Sequence, residues 1–220
     1  MTEIPEFLEV IYIPEMKSGS EYSNFIVNYL PDYIDTEFVL VVQWDGFICH
    51  PELWTPEFLR YDYIGATWPQ FPDGACVGNG GFSLRSKRLL DACRDPEFMF
   101  RHPEDVAICR DNRALLEDKY DLRFAPAEIA ESFSFERSSP SNPTFGFHGA
   151  FNMIEVMGAN AFWDTYRTLD DRSSIFVDYG LIAKATFRHG AEMGWIRATW
   201  ILAKFTVDYV RHKVRKRRAF

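Results

Sequence analysis

Phe38-Val39-Leu40-Val41-Val42-Gln43-Trp44-Asp45-Gly46 is the stretch on which the reading of this chain turns. Apolar, mostly β-branched residues run unbroken into an acid and a glycine. A short apolar run closed by a turn signal has the pattern of a strand buried on both faces. In open α/β sheets, ligands sit beyond the carboxyl ends of such strands. Asp45 stands at that end, where a ligand or a metal ion would be held. Asp-Gly is also an ordinary turn pair that needs no ligand.

On the N-terminal side, residues 8–13 (Leu-Glu-Val-Ile-Tyr-Ile) read as a strand stopped by Pro14. Tyr22, Phe25, Ile26, Tyr29, Leu30 and Tyr33 recur at three- and four-residue steps. That spacing predicts a helix over 21–34, capped by Ser18 or Ser20 and bent at Pro31. Strand, helix and strand together form a βαβ unit with a right-handed crossover. On the C-terminal side, 47–54 reads as a loop and a short helix from Pro51, 61–67 as a short strand, and 68–74 as a proline-punctuated loop. Gly78-Asn79-Gly80-Gly81 then precedes a strand over 82–86 and a helix over 87–93. Glycines at this density permit close approach of a ligand to the backbone. Pro103-Glu104-Asp105 opens a helix running to about Tyr120, with proline and acids in the expected first turn. A short strand over 122–125, an ambiguous segment over 127–136 and a flexible connection over 138–143 lead to 144–149, the end of the α/β portion. Beyond it, helices are predicted over 159–169, 173–188 and 191–212. The boundary falls near 152, giving an α/β domain over 1–152 and a helical extension with a basic tail over 153–220.

Composition narrows the function classes. The chain has 220 residues, 47% hydrophobic, enough for a sizeable core, and its formal net charge is −8. The charge is uneven. From Trp195 to Phe220 there are eight basic residues and one acid, out of 24 and 32 in the whole chain, leaving 16 and 31 for the rest. An acidic body argues against nucleic acid as the main partner. Cys49, Cys76, Cys93 and Cys109 show no metal-knuckle spacing and read as reduced thiols of a cytoplasmic protein. Residues 1–6 are acidic and broken by proline, unlike a secretory leader. No apolar run reaches the ~18 residues that span a bilayer.

Taken singly, the candidate residues have plain structural explanations. The glycine loop is a tight turn, and it departs from the dinucleotide fingerprint because Ser83 stands where the last glycine would be. Glu104 and Asp105 complement a helix dipole. His148 fits a core histidine.

Their combination carries a resemblance. Gln43-Trp44-Asp45-Gly46, Tyr61-Asp62-Tyr63-Ile64-Gly65-Ala66, Val77-Gly78-Asn79-Gly80-Gly81-Phe82-Ser83-Leu84-Arg85-Ser86, Pro103-Glu104-Asp105 and Phe145-Gly146-Phe147-His148-Gly149 resemble a bacterial family of uncharacterised glycosyltransferase-like proteins. The likeness covers about residues 8–152. It implies an α/β fold of GT-A type, a Rossmann-like mixed sheet flanked by helices, here with a helical C-terminal extension. It implies transfer of a sugar from a nucleotide-diphosphate donor to the hydroxyl of a carbohydrate or lipid-linked acceptor, in surface polysaccharide or glycolipid synthesis. Asp45 matches the acidic motif that holds Mn²⁺ or Mg²⁺ on the donor diphosphate, and His148 matches a late histidine of the metal shell. Asp105, with Glu104 second, matches a base acting on the acceptor hydroxyl. Gln43, Trp44, Trp68, Asn79, Gly80, Gly81 and Arg85 are the implied substrate contacts. Trp44 and Trp68 would stack on a sugar, and Gly80 and Gly81 would bring backbone amides to it.

The chain departs from that pattern twice. Gln43 replaces the first acid of Asp-x-Asp, and only 37 residues precede the Phe38 strand where a GT-A domain has two further strands. The chain therefore reads as N-terminally short, and the alternative function is a non-catalytic sugar- or nucleotide-binding protein or scaffold that keeps the fold. The C-terminal segment reads as a basic amphipathic helix with a polybasic tail, suited to an anionic membrane surface at the inner face of the membrane.

Overall fold

The computed structural model describes residues 6–218, with side chains to residue 215. It is a mixed α/β protein of two small sheets and flanking helices. Residues 8–13 form no strand. Every residue from 6 to 15 is exposed, Tyr12 at 91%. The expected βαβ unit is therefore absent among the described residues. β propensity alone is not enough where no partner strand supplies the ladder hydrogen bonds.

Helix α1 (Gly19–Asn28) begins at the Ser18 cap, whose hydroxyl accepts from the Glu21 amide, and ends before a 3-10 turn containing Pro31. Strand β1 (Phe38–Val42) follows. It lies at the edge of an antiparallel three-stranded sheet, ordered β1, β4 (Phe82–Ser86), β3 (Tyr63–Ile64). The expectation of a strand buried on both faces is corrected: Val41 is buried but Val42 is 48% exposed. The central, fully buried strand is β4. A continuous apolar run also suits an edge strand that packs one face, as Phe38 and Leu40 do against the aromatic cluster of Phe58, Phe82, Phe133 and Phe145.

A turn over 43–46, closed by a hydrogen bond from the Gly46 amide to the Gln43 carbonyl (2.9 Å), passes the chain into a second sheet. There β2 (Gly46–Ile48) pairs antiparallel with β6 (Gly146–His148), and β5 (Ser134–Phe135) pairs parallel with β6. In this register Gly46 faces His148. These two- and three-residue strands are too short to show a period of two.

Helix α2 (Lys87–Ala92) follows β4, capped by Ser86. The helix predicted from Pro103 is three pieces: α3 (Glu104–Val106), a π turn over Ala107–Asp111, and α4 (Arg113–Tyr120). Asn112 braces the wide turn: its backbone amide donates to the Ala107 carbonyl (3.0 Å), and its side-chain amide donates to the carbonyls of Ala107 (2.9 Å) and Met99 (3.0 Å). Helix α5 (Ala127–Phe133) occupies the ambiguous segment. Helices α6 (Ala150–Met157), α7 (Ala159–Thr168), α8 (Tyr179–Arg188), α9 (Gly190–Met193) and α10 (Trp195–Arg218) make up the rest. Helix α7 agrees with the predicted 159–169; the predicted 173–188 opens with a 3-10 turn over Ile175–Asp178, the predicted 191–212 is broken at Gly194, where φ is 79°, and α6 is not among the predicted spans. Their core of Phe162, Trp163, Ile182 and Phe205 runs into the second sheet through Phe47, Phe135 and Phe147. No described helix is long and apolar enough to cross a membrane.

Candidate functional site

The glycine loop organises the site from below. Arg85, on the central strand, is fully buried. Its Nη2 donates to the Gly80 carbonyl (3.3 Å) and to Glu104 Oε1 (3.2 Å), and its Nε donates to Ser83 Oγ (3.0 Å). Ser23 Oγ, on α1, donates to Glu104 Oε2 (3.1 Å) and accepts from the Glu104 amide (3.2 Å). Glu104 is thus locked in a buried ion pair under the loop, and Arg85 lies beneath the cavity surface.

Asp105, one residue on, has the opposite setting. It lines a cavity of about 990 Å³ with Tyr22, Trp68, Glu136 and His148. Its Oδ2 accepts from the Gly80 amide (2.9 Å) and its Oδ1 from the Val106 amide (2.8 Å). Burial, then the neighbouring Glu104 charge, raise its carboxyl above the ordinary aspartate range.

The glycines create room for protein side chains. A Cβ at Gly80 would lie 2.5 Å from Glu104 Oε1, and one at Gly81 only 2.0 Å from His148 Nε2. The Gly80 amide is committed to Asp105 and the Gly81 amide to Asn79 Oδ1 (3.3 Å). This corrects the expectation that both amides are free for a sugar. Asn79, in the left-handed conformation at φ 59°, is buried and donates to Glu136 Oε2 (2.7 Å).

His148 lies on Gly81 between two carboxylates. Its Nε2 is 3.2 Å from Asp45 Oδ1 and its Nδ1 is 3.8 Å from Glu136 Oε1. Both ring nitrogens are buried without an aligned hydrogen bond. Burial lowers the imidazole pKa, but the Asp45 contact and the Asp45 and Glu136 charges outweigh it, and the net shift is upward. The Asp45 carbonyl accepts from the Gly149 amide (3.0 Å), tying the turn to the end of β6. Glu136 is itself raised by burial. Among the described residues no three His, Cys, Asp or Glu groups converge to hold a metal. Asp45 and the imidazole of His148, which has no aligned hydrogen bond, are an oxygen and a nitrogen donor set face to face, a donor pair of the kind Mn²⁺ accepts.

Of the sequence-predicted residues, Gln43, Trp68, Asn79, Gly80, Gly81, Glu104, Asp105 and His148 line the cavity. Trp68 is buried, its ring packed on Gly78 and edge-on to Phe71 with centroids 5.6 Å apart. Asp45 reaches the site only through His148. Trp44 is not part of it: the ring lies 36% exposed in an apolar groove between α1 and β1. Sequence reasoning misses Tyr22, whose buried hydroxyl has no partner, because it reads as one of a helix's apolar positions. It misses Glu136 because that segment has no periodicity. It also misses the contribution of the C-terminal segment: Ser173, Ser174 and Phe176 from the turn before α8, and His212 and Lys213 from α10, line the same cavity.

The model of a family described as "Protein of unknown function (DUF5672)" matches residues 8–148, well over half of the chain. The chain belongs to the DUF5672 family. No curated protein and no solved structure matches it. The span matched to DUF5672 ends on His148 and contains Asp45, the glycine loop, Asp105 and Glu136. The residues from α10 that line the cavity lie beyond it.

Proposed function

We propose that this DUF5672 protein is a nucleotide-sugar-dependent glycosyltransferase acting on a carbohydrate or lipid-linked hydroxyl. One observation carries the reading: a carboxylate raised by burial, Asp105, faces a cavity of about 990 Å³ whose lining also holds His212, Lys213 and the Trp68 ring. A raised carboxylate is a competent general base near neutral pH. Cations suit a diphosphate, and aromatic faces suit a sugar.

In this reading Asp105 accepts the proton of the acceptor hydroxyl as that oxygen attacks the anomeric carbon. The bond from that carbon to the donor phosphate oxygen breaks, and the nucleoside diphosphate leaves with the electron pair. Lys213 receives its charge, and the His212 ring lies beside it in the cavity lining. Asp45 and His148 are the residues that would hold Mn²⁺ or Mg²⁺, which would neutralise charge on the leaving diphosphate. Glu104, whose carboxylate is taken up by Arg85 and Ser23, positions the loop. The GT-A fold type belongs to this proposal, as does a cytoplasmic location, which the four free thiols favour.

The test is thermal-shift and calorimetric titration of the full chain with UDP-, GDP- and dTDP-sugars, with and without Mn²⁺, followed by assay of nucleoside diphosphate release. A melting shift and release, both present in wild type and only the shift in Asp105→Asn, are expected. A shift without release in wild type would favour the binding-protein alternative, and no shift with any donor would overturn both.

A further inference from the structure

We propose that α10 seats this protein on an anionic lipid bilayer through a solvent-facing apolar stripe. The helix packs on the body through Ala198, Ile201 and Phe205, all buried. A turn of 100° per residue puts a second apolar row on the far side: Ile196, Trp200, Ala203, Val207, Val210 and Val214, at alternating steps of four and three. The row is open to solvent. Ile196 is 90% exposed and Trp200 60%. Val207, Val210 and Val214 are each exposed by close to half. The stripe runs about 27 Å along the helix at 1.5 Å per residue. Trp195 and Phe187, also exposed and 5.3 Å apart between ring centroids, widen its first turn.

Steps of four and three are also the seam of a coiled coil, so a second copy of the chain is the competing occupant. The flanking charges decide between them. Arg197, Lys204 and Arg211 follow the stripe on one side, and Thr199, Thr206 and Lys213 on the other. A parallel pair of copies would set Thr199 and Thr206 against Lys204 and Arg211. An antiparallel pair would set the arginines and lysine against each other. Neither offers an acid, and like charges across a seam repel. The helix's acid, Asp208, lies toward the body and accepts from the Tyr166 hydroxyl (3.2 Å). Nearby acids reach the flanks only at arm's length, Asp164 at 4.0 Å from Arg197 and Asp208 at 4.0 Å from Arg211. An apolar stripe bordered by cations is matched by acyl chains bordered by anionic headgroups. Trp200, with Lys204 5.5 Å from its ring, has the amphipathic character that settles at that boundary. The inference does not depend on the reaction proposed above.

Flotation of the full chain with vesicles of phosphatidylcholine, alone or mixed with phosphatidylglycerol, tests it, with analytical ultracentrifugation of the protein alone. Binding to the mixed vesicles, weakened by salt and at least about tenfold weaker to the neutral ones, is expected. Ile196→Asp with Val207→Asp is expected to abolish it at an unchanged melting temperature. Lys204→Gln with Arg211→Gln is expected to remove the preference for the anionic vesicles. Trp200→Ser, a milder change at an exposed position, gives the same readout if the double aspartate variant folds poorly. Equal binding to both vesicles, no binding to either, or a dimer that the aspartates dissociate would overturn the proposal.

Discussion

Glu104 and Asp105 are adjacent acids in two different regions of the molecule. Glu104 belongs to the buried network below the glycine loop, where Arg85 and Ser23 donate to its carboxylate and Arg85 also donates to the Gly80 carbonyl. Asp105 belongs to the cavity surface, where two backbone amides hold its oxygens and, among the described residues, no cation forms an ion pair with it. One residue of register turns a structural ion pair into a group able to exchange a proton. Acid type alone therefore says little about role. What matters is which charge, if any, the fold sets opposite each carboxylate.

The comparison can be broken experimentally. Asp105→Asn is expected to lower turnover about 10²–10⁴-fold, the usual contribution of a general base, while leaving unfolding by urea and donor binding nearly unchanged. The pH profile tests the same residue. The base must be ionised and its carboxyl is raised, so activity should fall, as pH drops, at a higher pH than an ordinary aspartate would give. Glu104→Ala should do the reverse, costing about 3–5 kcal/mol in urea unfolding because Arg85 is left buried and unpaired. Glu104→Leu with Arg85→Met should recover much of that loss.

Gly81→Ala sits between the two regions. Its Cβ would meet the His148 ring, and a stability loss of about 1–3 kcal/mol is expected from overpacking, with weaker donor binding in calorimetry. Lys213→Ala should leave the melting temperature in place and weaken nucleotide-sugar binding about tenfold, the lower end for a hydrogen bond to a charged group. The smallest effect is electrostatic. The folded His148 pKa is raised, so its pairing with Asp45 stabilises the fold below the ordinary imidazole range and is lost as pH rises through the folded value. Asp45→Asn should flatten that part of the stability profile.

How much of this was legible in the sequence follows from the length of each signal. Helices α7, α8 and α10 span several turns, and their apolar spacing gives them away. β4 and its glycine approach were legible too, because three glycines in four residues mark backbone crowding. The sequence could not say what crowds them, and the answer is Trp68 at Gly78, Glu104 and Arg85 at Gly80, and His148 at Gly81. Residues 8–13 have strand composition without a strand, since pairing is decided by a partner. The apolar run before Asp45 could not distinguish centre from edge, since burial depends on what lies beside it. Glu136 and Tyr22 reach the cavity by tertiary placement alone, and no local pattern announces them.

The turn after β1 joins two sheets through only three residues, and Asp45 grips the second sheet twice, by its carbonyl at Gly149 and its carboxylate at His148. Asp45 thus ties the end of β1 to the end of β6 through both its main chain and its side chain. A guest that parted Asp45 from His148 is expected to disturb the ends of both strands. Its arrival should register as altered amide exchange along β1 and β6 together, well outside its own contacts.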